Sequence, residues 1–147
     1  MKLHKGQIAK RQLETALDLF FSEGEPLAVV TLAGAAEEVL GDLLQRRGGD
    51  RMLDHIVHLD RKLTGTGRSF AVVNEEVNGI RNALKHAKRP EEDEVELDPT
   101  AHAVVWLSRA LVNYSTWEPE GVTPRMLQFY ERLQSLYPDV PPKSPQA

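Results

Sequence analysis

Helix punctuation limits this chain more than any other feature. Gly24 stops one apolar-periodic stretch, and Pro26 opens the next in the first-turn position that proline tolerates. Asp98-Pro99 and Thr123-Pro124 repeat the start signal further on. Between these marks apolar residues recur every three or four positions. No segment shows a convincing alternation of period two, so the chain reads as all-α.

The first predicted helix spans roughly Leu3 to Ser22, with Ala9, Leu13, Ala16, Leu17 and Phe20 on one face. The second runs from Pro26 to about Arg47 on Leu32, Ala36, Val39, Leu40 and Leu43, and Gly48-Gly49 ends it. Asp50 is the expected N-cap of a third, which carries Leu53, Ile56, Val57 and Leu63 inward before Thr64-Gly65-Thr66-Gly67 breaks it. A fourth covers Phe70 to Lys88 on Val73, Val77, Ile80, Leu84 and Ala87. The fifth buries Ala101, Val104, Val105, Leu111 and Val112, and the sixth Leu127, Tyr130, Leu133 and Tyr137. Short connections between such helices favour an up-and-down bundle of five to six helices. It fills residues 1–137 as one domain, and 138–147 form a proline-rich, flexible tail.

A chain of 147 residues can bury a core without staples, and the absence of cysteine excludes disulfides and thiolate chemistry. That absence fits a reducing cytoplasm, which is the expected location. No signal peptide or membrane-spanning apolar run is visible, so no membrane partner is expected. The net charge of −4 argues weakly against nonspecific nucleic-acid binding. It is concentrated, however, in Glu91, Glu92, Asp93, Glu94, Glu96 and Asp98. This run reads as a solvated loop or, more sharply, as an acidic flap competing with an anionic ligand.

Potential chemistry gathers on the fourth helix. Asn74, Asn78, Arg81 and Lys85 form one stripe beside the apolar face, and Asn78, Asn82 and His86 form another. Asparagine is a poor helix former, so three of them imply hydrogen-bonding work. Arg81 and His86 lie about 140° apart on one helix at about 100° per residue. Two copies of the helix crossing at a two-fold axis would bring an arginine toward its partner's histidine. Ala33-Gly34-Ala35-Ala36 on the second helix is a small-residue patch, suited to close packing or to self-association.

Arg81 and His86 with four residues between them, the first of them Asn82, resemble the motif of the HEPN superfamily (higher eukaryotes and prokaryotes nucleotide-binding). Val77-Asn78-Gly79-Ile80 and Ala35-Ala36-Glu37-Glu38-Val39-Leu40 also look like family sequence, and the likeness in architecture covers roughly Leu3 to Thr116. The resemblance implies a metal-independent RNA endonuclease without cofactor, acting as a homodimer, often a toxin or defence protein with an antitoxin or regulatory protein as partner. In that scheme Arg81 anchors phosphate, His86 is acid or base, and Asn78, Asn82 and Lys85 bind or orient substrate. The family's toxin class often has a tyrosine two positions after the histidine, where this chain has Lys88. The resemblance equally implies a non-catalytic module that binds a nucleotide, nucleic acid or protein.

Three other readings complete the expectations. His55 and His58 on the third helix suggest a weak metal site against a surface pair, and no metal is assigned. His4 falls in a flexible start. Glu37 and Glu38 are either solvated or, for Glu37, paired with Arg81. Trp106, Tyr114 and Trp117 are read as core or interface and not as base-stacking platforms.

Overall fold

The computed structural model describes residues 1–65 and 68–136; Tyr137 and the expected tail lie outside them. Among the described residues there are six α-helices and no strand: α1 (Lys5–Phe21), α2 (Pro26–Arg46), α3 (Met52–Thr64), α4 (Phe70–Ala83), α5 (Pro99–Trp117) and α6 (Pro124–Leu136). Short 3₁₀ turns at Pro90–Glu92 and Pro119–Gly121 interrupt the longer connections. The all-α bundle is as the punctuation implied.

α2 is the hub and packs against both α1 and α5. Val29, Val30, Ala33, Ala36 and Leu40 share one core with Leu13 and Leu17 of α1 and Trp106, Leu107 and Tyr114 of α5. α6 closes it with Met126 and Phe129, both fully buried, each worth about 1.5–3 kcal/mol of burial. α3 and α4 carry a small second core of Leu53, Val57 and Val73.

Several boundaries differ from expectation, each for a local reason. His4 is not part of a flexible start. Its Nδ1 accepts from the Gly6 N–H at 3.0 Å while Gln7 Oε1 accepts from the His4 N–H at 3.1 Å, capping α1. The imidazole stacks on Trp117, centroids 5.8 Å apart, which ties the start of α1 to the end of α5. The N-cap of α3 is Arg51 and not Asp50, because Asp54 Oδ2 accepts from the Arg51 N–H at 2.8 Å.

α4 ends at Ala83, five residues short of Lys88, so His86 is not helical. Leu84 turns in against the main core, and the Lys85 N–H bonds to Asn82 C=O at 3.1 Å in a tightened last turn. Arg89 is extended ahead of Pro90, as a residue before proline prefers. Glu92 accepts from the N–H groups of Lys88 (2.8 Å) and Arg89 (3.3 Å), which fixes the chain off the helix.

The inward stripes of the last two helices match expectation in part: Val104 and Leu111 of α5 are buried, and Tyr130 and Leu133 of α6 pack against the main core. α5 buries Ala103, Trp106, Leu107 and Ala110, while Ala101 and Val105 are exposed. In α6 Met126 and Phe129 point inward and Leu127 faces out.

Candidate anion-binding cleft

A cleft of about 280 Å³ opens between α2, the start of α3 and one face of α4. Arg51, Arg81 and Lys85 line it with the amides of Asn74, Asn78 and Asn82. Glu37, Glu38 and Asp42 line the α2 side, so the walls carry both signs. The structure thus brings Arg81, Asn78, Asn82 and Lys85 together and leaves His86 exposed, off the helix and away from the lining.

The position of Arg81 is set by α2. Its stem lies over Gly34, where a Cβ would come within 2.6 Å of Nε and 2.7 Å of Cδ. Its guanidinium carbon is 5.8 Å from the Trp106 ring centroid, at the edge of cation–π range. The small-residue patch therefore seats an arginine. One heptad on, Gly41 does the same for Arg51, whose Cδ a Cβ would meet at 3.0 Å.

Counter-ions occupy these cations. Arg81 Nη2 donates to Glu38 Oε2, and this hydrogen bond holds the Glu38 carboxyl below its ordinary value against the opposing effect of burial. Charge attraction from Arg81 and Lys85 adds to it. Arg51 donates to both oxygens of Asp54, from Nε at 3.1 Å and from Nη2 at 3.0 Å, which lowers the Asp54 carboxyl as well. The Arg81 side chain is 12% exposed and that of Glu38 58%. The cation is enclosed, and its carboxylate partner faces water.

Glu37 is neither solvated nor paired with Arg81. It is buried and accepts from Arg109 Nη2 at 2.8 Å. Arg109 lies over Trp106 at 4.1 Å, and Asn113 Nδ2 donates to the Glu37 C=O at 3.0 Å. This network forms the floor behind the cleft. No motif in the sequence marks Arg51, Phe70 or Arg109 as part of a site, although Arg109 stands three residues after Trp106, in phase with the buried stripe.

His55 and His58 are exposed on α3 and border a shallow groove with Asp50 and Asp54. Among the described residues no three metal-ligating side chains are grouped to hold an ion. Nor, among them, is any helix long and apolar enough to cross a membrane. Trp106 and Tyr114 are core, and Trp117 packs between His4 and Arg47. No family model, curated protein or solved structure significantly matches the chain.

Proposed function

We propose that the protein is a HEPN-like module that binds RNA through the α2–α4 cleft, with Arg81 as the phosphate anchor. The observation that carries this reading is the asymmetry of the Arg81–Glu38 pair. A guanidinium seated on Gly34 would keep its place if the exposed carboxylate gave way to a phosphate. Asn78, Asn82 and Lys85 stand beside it as further donors. The test is fluorescence anisotropy with a labelled single-stranded RNA. Arg81→Ala should lose roughly tenfold or more, as for a charge-assisted hydrogen bond worth about 1.5–3 kcal/mol. Equal binding by wild type and variant sinks the reading, as does wild type that binds no RNA.

A second reading is metal-independent RNA cleavage at a composite two-fold site. The placement of His86 favours it. The residue is exposed on non-helical backbone directly after Lys85, and in a two-fold dimer it would have to enter the partner subunit's cleft. An imidazole titrates near neutral pH and can move the 2′-hydroxyl proton, and Arg81 would stabilise the charge that builds on the phosphate. Cleavage that persists in chelator, yields a 2′,3′-cyclic phosphate and disappears in His86→Ala supports it. A chain that is monomeric by light scattering at working concentration, or His86→Ala with full activity, removes it. Toxin or defence roles, an antitoxin and a cytoplasmic setting belong to this second reading and stand or fall with it.

A further inference from the structure

The far end of the cleft holds a second set of groups that the Arg81 anchor does not use. Phe70, the first residue of α4, lines the cleft and is 40% exposed. The Arg51 guanidinium carbon is 5.4 Å from its ring centroid. Arg51 is fixed on three sides, by the Gly41 notch, by both Asp54 oxygens and by this ring. Gly34 and Gly41 are seven residues apart, so the two arginine seats are about 10 Å apart along α2 at about 1.5 Å per residue. One phosphate does not span that distance. Asn74 and Asn78, which are neutral donors and acceptors, line the wall between.

We propose that Phe70 and Arg51 form a second subsite of the cleft, which takes a base and a backbone phosphate of single-stranded nucleic acid held at Arg81 by another phosphate of the same strand. The inference rests on the RNA-binding reading above and sharpens it: the cleft selects a strand over a mononucleotide. An aromatic face next to a cation stacks any base, because every base offers a π-face, and Asn74 and Asn78 offer neutral amides on the α4 wall, opposite the α2 carboxylates of Glu37, Glu38 and Asp42. The competing explanation is structural, with Phe70 only shielding the Arg51–Asp54 pair at the α3–α4 contact.

The two explanations part in a competition assay with adenosine monophosphate and a short oligoadenylate. Phe70→Leu keeps an apolar cover but no stacking face, and Phe70→Trp keeps the face. The expected result is that Phe70→Leu and Arg51→Gln each weaken the oligoadenylate by roughly tenfold, within the range of one lost stacking platform. Monophosphate binding stays unchanged, and Phe70→Trp binds the strand as wild type does. A Phe70→Leu variant that is folded by circular dichroism and binds both ligands as wild type overturns the proposal. So does equal weakening of both ligands, which is the structural outcome. If Arg81→Ala loses both ligands while Phe70→Leu loses neither, the subsite falls and the cleft reading stands. If wild type binds neither, both fall.

Discussion

Gly34 and Arg81 are a matched pair. The glycine leaves a notch on α2, and the arginine stem fills it so closely that a single added carbon would stand 2.6 Å from Nε. Gly34→Ala therefore sets two effects against each other. Alanine favours the helix by about 1 kcal/mol over glycine. The methyl group also drives Arg81 out of its seat and away from Glu38. The expected outcome is nearly unchanged thermal stability with anion affinity reduced as far as in Arg81→Ala. Melting by circular dichroism alongside RNA anisotropy checks it; equal affinity of the Gly34→Ala variant and wild type contradicts the notch.

Acid should loosen the cleft before it unfolds the core. Glu38 and Asp54 both have folded values below their ordinary ones, because Arg81 and Arg51 donate hydrogen bonds to the charged forms. Their pairing is complete above the ordinary values of 4.5 and 3.8 and is lost as pH falls through the lower folded values. Solvent screening keeps the Glu38 contribution small, since its side chain is 58% exposed. Glu38→Gln and Asp54→Asn should each lose less stability than wild type between neutral pH and pH about 3. Urea midpoints at the two pH values measure this. Glu38→Gln should also bind RNA more tightly at neutral pH, because the competing carboxylate is gone.

How much of this was legible follows from the range of each signal. Pro26 and Gly48 mark α2 almost to the residue, because caps and breakers act locally. In α6 Tyr130 and Leu133 pack as their spacing implies, but whether Leu127 or Met126 and Phe129 turn inward is not a local choice. Both have helical spacing, and only the packed neighbours decide which one turns inward. α4 ends before its apolar periodicity does: the spacing continues through Ala87, while Leu84 packs against the core and Glu92 holds the chain from the other side. Arg81, Asn78, Asn82 and Lys85 could be grouped from two adjacent stripes of one helix that meet at Asn78. Glu38, Gly34 and Arg51 joined them across helices, where one sequence gives no spacing to follow.

The buried Arg109–Glu37 pair predicts a non-additive pair of mutations. Both residues are almost fully enclosed, at 3% and 6% exposure. Arg109→Met alone strands a carboxylate beneath the cleft and should cost about 3–5 kcal/mol. Arg109→Met with Glu37→Met removes both charges and should recover most of that loss. Chemical denaturation of the two single variants and the double variant gives the coupling directly. Additive losses would mean that the two groups do not depend on each other.

Asn113 is the bolt between three helices. Its Oδ1 accepts from the Met52 N–H at 2.7 Å, so α5 supplies a cap to the first turn of α3. Its Nδ2 reaches Glu37 C=O on α2. The Met52 N–H is one of the orphan donors of a helix start, and Asn113 Oδ1 is the acceptor that satisfies it. Asn113→Leu keeps the volume and deletes both bonds, at about 1–3 kcal/mol for the stranded donor. The loss should be local. Amide exchange should quicken at Met52 and Leu53 while the α2–α5 core stays protected, and Arg51, whose backbone opens α3, should lose its fixed position over Phe70. Exchange measured by mass spectrometry on wild type and Asn113→Leu tests the point; uniform acceleration across α1, α2 and α5 would show that Asn113 supports the whole core instead of anchoring α3 to it.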